Sequence, residues 1–220
     1  QLVGAFLDFL DSDNQVFILS GYAGTGKTSM VLAFVKMLDE IEVPSVLLAS
    51  TGRASKVLQD KAGREATTIH RNIYSLVTKL EERTNSSNDF KLKFKLTTNN
   101  DDAETIYFVD ESSMIADSNT LNLNLLFGSG RLLTDFFKYL NGRKVVFIGD
   151  PAQLPPINYV VSRALNPLYI ESNFNAGVSF FELKNVMRFG ENTAISYNTS
   201  QLRTNISEKR FPYLKINASY

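Results

Sequence analysis

The 220-residue chain has no cysteine, no tryptophan and a single histidine, His70. Without cysteine there is no disulfide framework, thiolate zinc site, iron–sulfur cluster or cysteine nucleophile. One histidine excludes a multi-histidine metal centre and argues against a Ser-His-Asp triad. An excess of one charge is also missing, since 23 Lys and Arg balance 23 Asp and Glu. Nucleic acid stays open as a partner, provided that basic surface is local and offset by acidic surface elsewhere. No apolar run reaches the ~18 residues of a membrane-spanning helix. The first residues lack the basic, apolar and small-residue segments of a secretion signal. The expected compartment is therefore the cytoplasm, with no membrane partner. With 44% apolar residues, the chain has enough material for one large domain or two small ones.

Short apolar runs alternate with amphipathic stretches. Val16–Ser20, Ser45–Ala49, Thr105–Asp110 and Lys144–Ile148 read as buried strands, and Phe180–Leu183 as a fifth. Helices are expected over Lys27–Leu38, over Arg53–Asp60 with a stop near Gly63, over Leu132–Leu140, and late in the chain over Ala194–Ile206. Thr68–Leu80 also carries helical apolar spacing, through Ile69, Ile73, Leu76, Val77 and Leu80. Between two polar stretches, Phe90–Leu96 alternates apolar residues with lysine and reads as a half-exposed strand. Continuous apolar strands alternating with helices predict an α/β fold: a parallel sheet with helices on both faces.

Gly21-Tyr-Ala-Gly-Thr-Gly-Lys-Thr28 matches GxxxxGK[ST] in full and stands between a predicted strand and a predicted helix. Glycines let the backbone curl so that successive N–H groups face phosphate oxygens. The following helix adds its positive end. Lys27 is expected on the outer phosphates and the Thr28 hydroxyl on Mg2+. Gly21, Tyr22, Ala23, Gly24, Thr25, Gly26, Lys27, Thr28 and Ser29 form the expected nucleotide cradle.

A phosphate loop needs a carboxylate partner. Asp110-Glu111, at the end of an apolar strand, lies where ligands bind in open α/β sheets. Asp110 would hold Mg2+ and Glu111 would polarise water; otherwise the two acids cap the Ser112-Ser113 segment. The next strand runs into Gly149-Asp-Pro-Ala-Gln153-Leu-Pro-Pro156, a turn followed by a proline-stiffened loop. The Gln153 amide both donates and accepts, so it suits a γ-phosphate or the attacking water. An ordinary proline-rich loop is the alternative.

Taken together, these segments resemble the first motor domain of superfamily 1B DNA helicases of the RecD/Dda/Pif-like group. The matching pieces are Gly21–Thr28, Leu48–Ala54, Thr68–Arg71, Val109–Met114, Ile148–Pro156 and Phe181–Arg188, in family order. The resemblance implies a RecA-like P-loop domain over residues 1–83 and 105–191, and ATP hydrolysis coupled to 5′-to-3′ movement on single-stranded DNA. The substrate is then single-stranded DNA, or a duplex with a 5′ overhang. In the family a small subdomain with a strand-separating pin lies where residues 84–104 stand. These residues read as a small β insertion, a reduced pin or an edge strand protected by lysines. Residues 192–220 read as a helical extension or linker toward a second RecA-like domain, expected in the full-length chain.

The resemblance assigns Lys27, Asp110, Glu111, Gln153 and Arg188 to catalysis, with Arg188 facing the γ-phosphate or else in a surface ion pair. It places Gln1 near an adenine-reading glutamine. It sets Thr51, Arg53, His70 and Arg71 toward the DNA strand, though His70 also suits a helix cap or core position and Arg53 a solvated helix. A second domain supplies another arginine in this family, and such a group is worth about 10³–10⁵ in rate in related phosphoryl transfer. The chain alone should therefore turn over slowly. A nuclease or other repair subunit, which some RecD-like proteins have, is a further partner to consider. Two other functions stay open: a different P-loop ATPase or kinase, and a DNA-binding or scaffold module with little turnover.

Overall fold

The computed structural model describes residues 1–84, 87–118, 125–153 and 162–184, with 198, 201, 202 and 205. Its elements are α1 (Leu2–Asp11), β1 (Val16–Gly21), α2 (Lys27–Glu40), β2 (Ser45–Ala49), α3 (Gly52–Ala62), β3 (Ala66–Thr68), α4 (Ile69–Ile73), β4 (Tyr74–Thr84), β5 (Ser87–Leu96), β6 (Ile106–Asp110), a 3-10 turn (Ser112–Met114), β7 (Leu125–Phe127), α5 (Leu132–Leu140), β8 (Val145–Gly149), α6 (Pro167–Phe174) and β9 (Val178–Leu183).

Six strands form one sheet in the order β3-β2-β6-β8-β1-β9, and every neighbouring pair is parallel. The apolar runs of β1, β6 and β8 are buried on both faces, as a parallel sheet under two helical layers requires. Alternation along the strands divides the core in two. Phe17, Leu19, Phe108, Val146 and Ile148 face α1, α2 and α3, where Phe6, Phe34 and Leu38 lie. Val16, Ile18, Tyr107, Val109, Val145 and Phe147 face α4, α5 and α6, with Ile73, Phe136 and Ile170. On the first face Phe6 stacks on Phe34 with ring centres 4.0 Å apart.

The expected α/β architecture is present, and each of the five expected strands of the large sheet lies in it. Two helices went unanticipated. The first, α1, packs Phe6 and Phe9 against the sheet. The second, α6, opens on an Asn166 side chain that accepts from the Tyr169 N–H, with Pro167 in the first turn.

One expected helix is corrected. The helix over Thr68–Leu80 stops at Ile73, and Tyr74–Thr84 is a strand. Ile69 and Ile73 reach the core, but the next residues of the stripe, Leu76 and Val77, are exposed. The chain instead takes its backbone partners from β5, antiparallel from Tyr74↔Leu96 to Thr84↔Ser87, with an irregularity at Leu76/Thr78. With β7 this makes a three-stranded sheet, β4-β5-β7. The β segment expected at 84–104 is thus part of a pairing that begins at Tyr74 and ends at Leu96. Within β5, Lys93 and Lys95 are exposed while Leu92, Phe94 and Leu96 are half-buried, the alternation read from the sequence. The helix expected over Ala194–Ile206 lies largely outside the described residues.

Candidate active site

Strand order builds the site. β6, β8 and β1 are consecutive neighbours, so their carboxyl ends, and the loops that leave them, lie side by side. These ends are Asp110, Gly149 and Gly21. The phosphate loop after β1 curls through Gly24 and Gly26, with φ of 83° and 86°, a region that costs glycine little. Gly26 is the N-cap of α2, so the helix starts at Lys27 with its positive end toward the loop. At the end of β8, a Cβ on Gly149 would stand 2.7 Å from Leu165 and 3.1 Å from the Ser113 N–H nitrogen. Glycine there lets the two loops approach.

An open cleft of about 450 Å³ lies over these ends, lined by Ala23, Gly24, Gly26, Lys27, Thr28, Ser29, Lys61, Asp110, Glu111 and Gln153. Lys27 donates to the carbonyls of Gly21 at 2.6 Å and Tyr22 at 3.0 Å. Thr25 also donates to the Tyr22 carbonyl, at 2.8 Å. Burial raises the Asp110 pKa. The Glu111 N–H, Lys27, Lys61 and the Thr28 hydroxyl all oppose that by favouring the carboxylate. Glu111 is raised by burial and then by the charge of Asp110. Its backbone sits at φ 53°, in the left-handed region that a glutamate seldom adopts. The Glu111 N–H donates to Asp110 Oδ1 at 2.9 Å, so both acids are held at the strand end. Asp150 accepts from Ala23 N–H at 2.9 Å and from Ala152 N–H at 2.9 Å.

A second cavity, about 770 Å³, adjoins the loop on its other side and includes Gln1, Leu2, Thr25, Gly26, Ser29 and Phe181 in its lining. The expected residues therefore meet in two groups, the cleft and this neighbour, which share Gly26 and Ser29. Thr51, Arg53, His70 and Arg71 line neither. Thr51 caps α3 by accepting from the Ala54 N–H at 3.2 Å, and Arg53 in its first turn is exposed. Thr68 caps α4 by accepting from the Arg71 N–H, and Arg71 is exposed. The His70 ring packs edge-on against Phe127, with centroids 5.2 Å apart, and burial lowers its pKa. Arg188 lies outside the described residues.

Two residues escaped sequence reasoning: Lys61 in the cleft lining and Asp150 buried behind it. Lys61, in the last turn of α3, carries no motif that marks it. Asp150 sits inside the Gly-Asp-Pro segment and reads only as a turn residue, because the loop that it reaches is 127 positions away.

A family described as an AAA domain matches residues 3–217 of the chain. The chain is 34% identical over 149 residues to an uncharacterized protein of Methanocaldococcus jannaschii, covering 66% of this chain and 12% of that protein. It is 29% identical over 152 residues to the multifunctional conjugation protein TraI of Escherichia coli K12, covering 67% of this chain and 7% of that protein. The chain thus spans a small part of these relatives. A crystal structure of Pif1 helicase from Candida albicans is similar over 96% of this chain and 44% of that one, at 18% identity and a TM-score of 0.49. The family match agrees with the resemblance to a superfamily 1 helicase-type RecA-like domain. On a match that runs from residue 3 to residue 217, the chain belongs to the AAA-domain family.

Proposed function

We propose that this chain is the ATP-binding and hydrolysing half of a DNA helicase motor that couples turnover to 5′-to-3′ movement along single-stranded DNA. The observation that carries this is the convergence of three loops on one cleft: the phosphate loop, Asp110-Glu111 and the Gly-Asp-Pro loop with Gln153. A general phosphate-binding loop needs only the first two, and the third is what the helicase group adds.

The backbone N–H groups from Gly24 to Ser29 cradle the phosphates, with α2 adding its positive end. Lys27 exchanges its bonds with the Gly21 and Tyr22 carbonyls for the outer phosphates. Thr28 and Asp110 present hard oxygen donors to the same cleft, a set that fits Mg2+. When bound, Mg2+ neutralises charge on the β- and γ-phosphates. Glu111 orients the attacking water and accepts its proton, and its raised pKa brings it toward the range of a working base. Gln153 holds the water or the γ-phosphate through its amide. Arg188 adds positive charge at the γ-phosphate, and Gln1 reads the base in the adjoining cavity.

Thr51 and the exposed Arg53 and Arg71 bind DNA phosphates, contacts that position the strand without reading its sequence. His70 sits behind them on α4. Among the described residues no helix is long and apolar enough to cross a membrane. A second RecA-like domain completes the motor in the full-length protein, and a nuclease or repair subunit is a partner for that whole protein.

ATPase assays of the full-length protein test this directly. Turnover should rise sharply with single-stranded DNA, fall with added salt as phosphate contacts weaken, and vanish in Lys27→Ala. Robust ATPase that ignores DNA would instead mark another kind of P-loop enzyme.

A further inference from the structure

Asp150 is 3% exposed at the end of β8. A carboxylate removed from water is costly unless its lone pairs are used. Here they are used by main-chain donors from two separate loops. Oδ1 accepts from the Ala152 N–H, which closes the turn through Pro151. Oδ2 accepts from the Ala23 N–H of the phosphate loop at 2.9 Å. The main-chain carbonyl of Asp150 accepts from the Gln153 N–H at 3.1 Å, which brings Gln153 to the cleft wall.

The first bond alone would make Asp150 a local turn residue. The second changes its meaning. One N–H of the phosphate loop is committed to a side chain of the neighbouring loop. The strands beneath, β1 and β8, are locked in register at Ser20↔Gly149, so the two loops share a base as well as a bond. A shift of the phosphate loop at Ala23 is therefore passed to the turn that carries Gln153.

We propose that Asp150 is a positioning residue that joins the phosphate loop to the Gln153 loop, so that filling of the first sets the place of Gln153 in the second. This rests on the ATPase function proposed above. Asp150 does not touch the reacting atoms; it acts through Gln153. The chemistry requires a carboxylate, because two N–H donors converge on it. An asparagine offers one acceptor oxygen and turns an NH2 toward the other donor.

The test is a cycle of Asp150→Asn, Gln153→Ala and the double variant in the full-length protein, reading kcat and KM for ATP with saturating single-stranded DNA. Asp150→Asn should keep KM within about threefold and lose kcat by about 10²-fold, the scale of a misplaced catalytic contact. Added to Gln153→Ala, it should cost less than about twofold more, because both changes remove one function. A large rise in KM with multiplicative losses overturns the proposal and leaves Asp150 as a brace of the phosphate loop. Wild-type kcat in Gln153→Ala overturns it as well. If Asp150→Asn does not fold, amide hydrogen exchange on the wild-type protein decides: the Ala23 and Ala152 N–H groups should be protected together, and free exchange at Ala23 contradicts the link. A wild-type protein that turns over ATP while the variants act independently overturns the coupling alone. One without ATPase activity overturns the proposed function too.

Discussion

The two sheets are built on opposite terms. In the six-stranded sheet, β1, β6 and β8 are apolar up to their carboxyl ends, and Phe17, Phe108 and Phe147 have no exposed surface. In the three-stranded sheet, Leu76 and Val77 are exposed, and among the described residues Tyr74, Phe94, Leu96 and Phe127 join it to the core. Phe94 stacks on Phe127 at 4.5 Å, and Phe127 meets His70 and Tyr74. The Tyr74 hydroxyl and the Ser129 N–H both donate to Asp135 Oδ2, at 2.7 and 2.8 Å, and Asp135 on α5 is itself buried. Burial is thus densest beneath the three loops of the candidate site. Among the described residues the small sheet joins the body through an aromatic cluster, Leu96 and the buried Asp135 carboxylate, a lighter packing than that of the large sheet.

Substitutions can break or sharpen this contrast. The largest effect is expected in the large sheet: Phe17→Ala should cost about 3–5 kcal/mol, the range for emptying a buried aromatic site. Urea denaturation measures it, and a loss under 1 kcal/mol would mean that the sheet is not the more densely packed one. Next comes the tether. Tyr74→Phe leaves Asp135 with one donor fewer and should cost about 1–3 kcal/mol. Hydrogen exchange should show the loss as faster opening of β4 and β5, with β1 and β8 unchanged.

At the edge of the large sheet, the proposed role of Glu111 opposes stability. Burial and Asp110 raise the Glu111 pKa, so the folded chain takes up this proton at higher pH than the unfolded one. This group's contribution to stability therefore rises as pH falls through that range. Glu111→Gln mimics the protonated form and should raise Tm by about 1–3 °C near neutral pH, a size discounted for partial exposure, while ATPase is lost. An unchanged or lower Tm would remove the claim that the acid pair is held at a cost. The smallest change is on the free face of the small sheet, where Leu76→Thr should alter stability by no more than about 0.5 kcal/mol.

The same contrast governs what the sequence discloses. Strands buried on both faces read as short continuous apolar runs, and β1, β2, β6 and β8 were legible for that reason; β9, only half-buried, was legible from Phe180, Phe181 and Leu183. That the phosphate loop and Asp110-Glu111 share one sheet edge was legible because each directly follows an apolar strand at fixed local spacing. Tyr74–Thr84 misled because its apolar residues repeat at helical spacing while its true partner, β5, is specified only by pairing. Lys61 reaches the cleft and Asp150 reaches the phosphate loop through tertiary approach, which no local pattern records. The α6 cap, Asn166-Pro167, was a signal in plain view. So was the apolar stripe of α1, through Leu2, Phe6 and Phe9.

Calorimetric titration of the folded chain with a non-hydrolysable Mg–ATP analogue puts the cleft to the most direct test. The wild-type chain should give a saturable binding heat that disappears in Lys27→Ala, with both proteins equally folded by circular dichroism. If the folded wild-type chain takes up no nucleotide at millimolar concentration, or if Lys27→Ala binds as well as wild type, the three converging loops do not form a nucleotide site.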